Sequence, residues 1–242
     1  MKSIKNKCGI ALEGGGARGA YHMGAIKALY EREYEITDIV GTSIGAINGA
    51  IVAQGDFEIA YKIWEEITYS TLFDINDSKA RSVLNMDIDF ELLKYISIKI
   101  KDVIKNKGID TTKMKEILNE YIDENKLRNS NINFGLVTYC LSDIKPVELY
   151  IKDIPKGKLV EYILASSRLP GFKQETLNDK LYIDGGVYNN CPISMLKNCK
   201  HIFAIKTGSF FKMRDYDKLI KSGVKIDIIE PRKKLTHILD FD

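Results

Sequence analysis

The stretch CGIALEGGGARGAYHMG, residues 8–24, decides the fold. Its first five residues carry no charge and are typical of a buried strand, and three consecutive glycines follow shortly after. From about Ala20 to Arg32 the pattern is helical, with small residues at Ala20, Gly24 and Ala28 on one face. Such a face lets a helix lie close to a sheet. A strand, a glycine turn and a closely packed helix indicate the start of an α/β fold.

Apolar runs and helical stretches continue to alternate along the chain, which favours a mostly parallel central sheet flanked by helices on both faces. Further strands are predicted at residues 36–40, 134–141, 147–151, 181–183, 202–206 and 225–229, and further helices at 57–68 and 158–166. Residues of about 70–130 are Lys-rich and predict a helical insertion, with helices near 90–107 and 112–123. We expect one α/β domain over residues 1–242.

Composition excludes several classes of function. A formal net charge of +3 gives no reason to expect nucleic acid as a partner. The four cysteines lack metal-ligand spacing, and the sequence shows no carboxylate cluster that suggests a metal. The first apolar run ends at Glu13, too short for a signal peptide, and the longest uncharged stretch, residues 39–55, is too short to span a membrane. A cytoplasmic protein is expected.

Three glycine-rich turns, residues 13–16, 41–45 and 184–186, each follow a short apolar run. If these runs are strands of one parallel sheet, all three turns lie at its carboxyl edge. Open α/β sheets bind their ligands at that edge. The three turns therefore predict a functional site.

The turn GTSIG, residues 41–45, matches the G-x-S-x-G pattern of a nucleophile elbow. Gly41 and Gly45 leave room for a sharp turn around Ser43, and the positive end of the following helix points towards the serine. A serine at this place is also an ordinary helix N-cap. The catalytic interpretation therefore depends on finding a base.

Asp184 is the favoured candidate for that base. A serine hydroxyl needs a neighbour that takes its proton, and histidine is the usual one. His22, His201 and His237 lie on none of the three turns, so we expect surface or structural roles for them, with His22 facing solvent. Asp184 ends an apolar run at the expected edge, where partial burial would raise its pKa towards that of a working base. The alternative is a simple turn residue.

The pattern Gly14-x-Gly16-x-x-Gly19 is shared with dinucleotide-binding loops. Such a loop requires an acidic residue at the end of the second strand to hold a ribose. Here that strand ends in Gly-Thr-Ser, and Asp38 precedes its core, so we expect no dinucleotide cofactor. Consecutive glycines at a strand–helix junction also offer backbone N–H groups to an oxyanion.

Together the motifs resemble those of the patatin-like phospholipase family. GGGARG is similar to its G-G-G-x-R/K-G motif, GTSIG to its nucleophile motif and DGG to the motif of its catalytic aspartate. ASSRLP, residues 165–170, resembles an A-S-x-x-x-P block, and Asn190 and Pro192 follow Asp184 at the spacing D-G-G-x-x-x-N-x-P. The matching order and spacing extend from Gly9 to about Lys206.

The resemblance implies a patatin-like three-layer α/β fold and a serine lipid acyl hydrolase of the phospholipase A or lysophospholipase type. Its substrate would be a phospholipid or another fatty-acyl ester, with no metal or cofactor. Ser43 would form an acyl-enzyme and Asp184 would act as general base and acid. The remaining implied residues are Gly14, Gly15 and Gly16 in the oxyanion hole and Gly19, Gly41, Gly45, Gly185 and Gly186 in support of the turns. Arg18 would either hold a lipid phosphate or brace the loop.

Two departures from the family pattern leave alternatives open. Arg168 stands where small or apolar residues are expected, and would shape the acyl site or pair with an acid. The chain ends in LDFD where a closing helix is expected, which leaves a shortened C-terminus open. Two other functions also remain: an α/β-hydrolase esterase whose base would be His201 or His237, and an inactive lipid-binding relative.

The stretch LLKYISIKIKDVIKNKG, residues 92–108, has two interpretations. A basic amphipathic segment can lie on an anionic membrane, which would place the protein peripherally at the inner membrane face. The alternative is the solvated face of a cap helix. In both cases we expect the segment to border the acyl site. The sequence predicts no oligomeric state.

Overall fold

A computed structural model of the chain describes residues 6–72, 76–78, 105, 107–208 and 212–235. Its centre is an eight-stranded sheet in the order β5-β6-β3-β2-β1-β7-β8, with β4 paired to β3. The strands are β1 (Lys7–Leu12), β2 (Glu35–Thr42), β3 (Asn133–Cys140), β4 (Lys145–Tyr150), β5 (Thr176–Leu177), β6 (Lys180–Asp184), β7 (His201–Ile205) and β8 (Lys225–Ile229). All of these except β5 were predicted, to within about two residues at most ends.

Helices cover the sheet. They are α1 (Ala20–Glu31), α2 (Ile44–Ala53), α3 (Phe57–Glu66), α4 (Tyr69–Leu72), α5 (Thr112–Tyr121), α6 (Glu124–Arg128), α7 (Leu159–Ser166) and α8 (Tyr216–Lys221). Short 3-10 turns occupy Gly16–Gly19, Ile151–Asp153, Gly185–Val187 and Ile193–Leu196. The predicted helix at 112–123 is present, and α4, α6 and α8 were not predicted. The predicted helix at 90–107 lies almost wholly outside the described residues.

The core lies on both faces of the sheet because the central strands alternate their side chains. Ile10 and Leu12 of β1 face the larger apolar layer, which includes α1, α2, α5 and α7. Ala11 between them faces a smaller layer, which contains Leu196 of the last 3-10 turn and Leu219 of α8. Helix, sheet and helix thus form three layers, which confirms the predicted fold class. Among the described residues, no helix combines the length and apolarity that crossing a membrane requires.

Strand β3 organises the site, because two strands meet end to end along one of its edges. β2 pairs with it in parallel as far as Thr42 opposite Val137, and β6 pairs antiparallel from Asp184 opposite Thr138. β4 occupies the other edge over residues 135–140. The DGG turn was predicted to follow a parallel strand, and this was wrong. β6 arrives from the opposite direction, yet it delivers Asp184 to the carboxyl end of β2.

Candidate active site

Ser43 lies in a sharp turn between β2 and α2, with φ 57° and ψ −127°. Positive φ is unfavourable for a residue with a side chain and occurs mainly where the surroundings impose it. Here the packing is close enough to do so: a Cβ on Gly41 would lie 2.1 Å from the carbonyl oxygen of Gly45, and one on Gly45 would lie 2.3 Å from that of Leu12. The two glycines are therefore required by space. The turn has the geometry expected of a nucleophile elbow.

The two groups predicted to react are brought together. Asp184 is 5% exposed, and burial raises its pKa from 3.8 to about 6. Hydrogen bonds from the Ser43 hydroxyl and from the Gly186 N–H, the latter 2.7 Å from Oδ1, partly offset this rise. Gly185 is also required by space, because a Cβ there would lie 2.2 Å from the carbonyl oxygen of Val137. A buried carboxylate with a raised pKa beside a hydroxyl can accept its proton near neutral pH.

The glycine loop lies directly against Ser43, since a Cβ on Gly14 would be 3.2 Å from the Cβ of Ser43. The N–H of Gly14 donates to the backbone carbonyl of Asn190 at 3.0 Å. It is therefore committed to the fold, and Gly14 is withdrawn from the predicted oxyanion donors. The N–H groups of Gly15 and Gly16 donate to no described residue, and both glycines are partly exposed. They are the available donors of the loop.

Arg18 and Gly19 follow in the 3-10 turn that joins this loop to α1. Gly19 is buried and tightly packed, because a Cβ there would lie 2.5 Å from Ile44. Arg18 is half-buried beside the loop, and both roles considered for it stay predictions.

An apolar pocket opens at Ser43 and Gly16 and runs between α2, α3 and α5. Counted together with the open solvent at its mouth, the space amounts to about 850 Å³. Its apolar wall includes Ile44, Ile47, Ile51, Ala60, Ile63, Trp64, Leu118, Leu169 and Phe172. Periodicity could not reveal this pocket, because helices distant in sequence form its wall. The stretch 92–108, expected to border it, lies almost wholly outside the described residues.

His22 was predicted to face solvent, and this was wrong: it is completely buried. Burial lowers its pKa to about 3, so the ring is neutral. Its Nδ1 lies 3.1 Å from Nδ2 of Asn48, which also donates to the carbonyl oxygen of Gly19 at 3.0 Å. Oδ1 of Asn48 accepts from Trp64 at 2.9 Å, so this amide joins the glycine turn to the pocket wall. The prediction that the small residues of α1 pack against the sheet was also wrong: Ala20 and Gly24 are exposed, and the buried face of α1 carries His22, Ile26 and Leu29 instead.

His201 and Arg168 have structural partners. His201 lies 2.7 Å from Asp227 at the amino end of β7, and thus at the sheet edge opposite Ser43. Arg168 is buried, donates to the backbone carbonyl of Glu175 and lies 3.7 Å from its carboxylate. Of the two roles considered for Arg168, pairing with an acid is the one observed. His237 lies outside the described residues.

No group of three or more His, Cys, Asp or Glu side chains suited to a metal ion occurs within the described ranges. The site is thus described by a serine in a strained turn, a buried aspartate, two available backbone N–H groups and an apolar pocket. The serine, the aspartate and the N–H groups come from three glycine turns that are remote in sequence, and the pocket comes from the helices.

Known proteins are similar to this chain over most of its length. A patatin-like phospholipase domain-containing protein of Caenorhabditis elegans is 25% identical over 88% of this chain and 14% of its own length. Lysophospholipase NTE1 of Kluyveromyces lactis is 27% identical over 83% of this chain and 12% of its own length. Neuropathy target esterase sws of Drosophila melanogaster is 28% identical over 84% of this chain and 13% of its own length. The chain thus spans about one eighth of the length of these curated relatives.

The crystal structure of VipD from Legionella pneumophila has a similar fold, with a TM-score of 0.53 and 18% identity. The similarity covers 91% of this chain and 53% of that one. The family model described as patatin-like phospholipase matches residues 10–197, which include all three glycine turns. The resemblance inferred from the motifs is thereby confirmed, and the chain belongs to the patatin-like phospholipase family.

Proposed function

We propose that this protein is a serine lipid acyl hydrolase, a carboxylic ester hydrolase that cleaves fatty-acyl esters of phospholipids or lysophospholipids. One observation carries the proposal: the hydroxyl of Ser43 contacts the buried Asp184, whose pKa is about 6, at the mouth of an apolar pocket. A catalytic pKa near the working pH is what general base catalysis requires. The names of two relatives, a lysophospholipase and an esterase, agree with ester substrates.

In the first half of the reaction, Asp184 accepts the hydroxyl proton as Oγ of Ser43 forms a bond to the carbonyl carbon of the ester. Negative charge develops on the carbonyl oxygen, towards the N–H groups of Gly15 and Gly16. The intermediate collapses as the bond to the alcohol breaks, and Asp184 returns its proton to the leaving oxygen. The acyl group stays on Ser43.

In the second half, Asp184 takes a proton from water while the water oxygen attacks the acyl carbon. Collapse of this second intermediate breaks the bond to Oγ of Ser43, which recovers the proton from Asp184 and releases the fatty acid. Throughout, the acyl chain occupies the pocket between α2, α3 and α5, where its burial contributes binding free energy of about 0.8 kcal/mol per methylene. A lipid substrate also implies peripheral contact with a membrane.

The alternative with a Ser-His-Asp triad has less support, because His201 lies at the opposite edge of the sheet in contact with Asp227. A catalytically inactive relative would share the fold, and an activity measurement distinguishes it from an active hydrolase. Labelling of wild type tests the inactive alternative, and turnover of His201→Ala and His237→Ala tests the triad.

The test is covalent labelling by a fluorophosphonate probe together with hydrolysis of short acyl esters. We expect wild type to be labelled and active, Ser43→Ala to be unlabelled, and Asp184→Asn to react at least about 100-fold more slowly. Asp227→Asn is the matched control, since it makes the same change to a carboxylate at the far edge. A wild-type protein that neither labels nor hydrolyses would refute the proposal.

A further inference from the structure

The N–H of Ser43 needs a partner that neither neighbouring element supplies. Thr42 is the last residue of β2, opposite Val137 of β3, and the chain leaves the sheet at Ser43. Ser43 also precedes the first turn of α2, where N–H groups have no intrahelical acceptor. Ser43 is only 9% exposed, and a buried backbone N–H without a partner is costly.

Ser166, the last residue of α7, supplies the missing contact. Its Oγ accepts from the N–H of Ser43 at 3.0 Å and donates to the carbonyl oxygen of Val137 at 2.6 Å. The side chain is completely buried. The hydrogen bonds between β2 and β3 end where the chain turns away at Ser43. The Ser166 hydroxyl replaces them at this point and connects the strained turn to β3.

The same end of α7 also holds the aspartate. The N–H of Asp184 donates to the backbone carbonyl of Arg168 at 2.9 Å, two residues beyond Ser166. Val137, the other partner of Ser166, is adjacent to Thr138, which pairs with Asp184. One short segment at the end of α7 thus holds both members of the Ser43–Asp184 pair. The side chain of Ser166 binds the backbone of Ser43, and the backbone carbonyl of Arg168 binds the backbone of Asp184.

We infer that Ser166 is a positioning residue that sets the orientation of the Ser43 hydroxyl towards Asp184. The inference rests on the proposed function. Ser166 is not part of the pocket wall, so it acts on the reaction through the backbone of Ser43. Its loss would leave substrate binding intact and slow the bond-forming step. Misplacement of a reacting group by about 1 Å can slow a reaction by about 100-fold.

The experiment measures fluorophosphonate labelling of Ser166→Ala over a range of probe concentrations. We expect the maximal labelling rate to fall about 100-fold, while the probe concentration for half-maximal rate changes less than about twofold. The pH profile gives a second signature. The contact with Ser43 lowers the pKa of Asp184, so a displaced Ser43 should move the profile of the variant to higher pH.

Ser130→Ala is a matched control. The hydroxyl of Ser130 makes the same two kinds of contact, since it accepts from the N–H of Ile132 at 3.0 Å and donates to the carbonyl oxygen of Ala53. Ala53 ends α2, so this contact lies at the far end of the helix that Ser43 precedes. A merely structural role for Ser166 predicts that Ser166→Ala loses thermal stability but is labelled as fast as Ser130→Ala, at a rate near that of wild type.

Each outcome of the labelling experiment either supports or overturns the role inferred for Ser166. Wild type labelled, with Ser166→Ala as fast as Ser130→Ala, overturns this inference and leaves the proposed function intact. A wild type that is not labelled overturns the proposed function and this inference with it. If Ser166→Ala does not fold, Ser166→Cys preserves the shape with a weaker donor and acceptor. A labelling rate of Ser166→Cys equal to that of wild type would then overturn the inference.

Discussion

Replacing Asp184 by asparagine should stabilise the protein at pH 8 while it slows hydrolysis at least about 100-fold. The carboxyl group is 5% exposed, and burial raises its pKa from 3.8 to about 6. Asparagine has the same shape and retains an oxygen that can accept from Gly186 and Ser43. The substitution therefore removes a poorly solvated charge and preserves the contacts.

The magnitude follows from the two pKa values. Because the native pKa lies above the unfolded one, the native state binds more protons between pH 3.8 and about 6, and stability falls as pH rises through this window. Above it the full difference of about 2 units applies, a loss of about 3 kcal/mol at 1.36 kcal/mol per unit. At pH 4.5 most native carboxyls are protonated and the loss is about 1 kcal/mol.

Urea unfolding of wild type and Asp184→Asn at pH 4.5 and pH 8 measures this difference. We expect the variant to be more stable at pH 8 by about 3 kcal/mol, equivalent to a rise of about 6–12 °C in Tm, with a smaller gain at pH 4.5. Other titrating groups are common to both proteins and cancel in the comparison. A gain that is the same at both pH values, or a loss at pH 8, would refute the assigned pKa.

Three further substitutions test the turn, the pocket and the base. Gly41→Ala, whose Cβ would lie 2.1 Å from a backbone oxygen, should lower the urea midpoint by an amount worth about 1–3 kcal/mol or more and suppress labelling; an unchanged midpoint would contradict the spatial argument. Ile47→Trp narrows the pocket one helical turn from Ser43 and should lower kcat/KM for decanoyl esters about 10-fold or more, with acetyl esters little affected; equal losses for both esters would contradict this. His201→Ala should retain turnover within about twofold, because His201 lies at the opposite sheet edge, and loss of turnover would restore a histidine base.

Local patterns in the sequence were sufficient for most of the fold. Apolar runs bounded by glycines gave β1 and β2. Helix α1 was predicted at the right place, although its small residues Ala20 and Gly24 are exposed and do not pack against the sheet. The motif around Ser43 could be recognised because its glycines are required at short range, by contacts within the same turn or with β1. Residues whose environment is set locally are therefore the ones that sequence predicts well.

What the sequence left out depends on contacts between distant segments. No local pattern shows that β6 runs antiparallel to β3, and a two-residue strand such as β5 has no periodicity. The N–H of Gly14 is committed to Asn190, which is known only once the chain is folded. Ser166 was noticed as part of a motif, but its contact with Ser43 crosses from α7 to β2.

Because β2 and β6 meet end to end along β3, the distance between Ser43 and Asp184 and the shape of the pocket are set by different parts of the chain. The distance between Ser43 and Asp184 is set by register along β3, where Val137 faces Thr42 and Thr138 faces Asp184. Much of the pocket wall, in contrast, comes from α3 and from α5 of the insertion, which leaves the sheet after β2 and returns at the amino end of β3. If the proposed function holds, substitutions in the insertion should therefore change which acyl chain is accepted without altering the register that places Asp184. Substitutions along β3 or at the end of α7 should instead change the reaction rate for every ester alike.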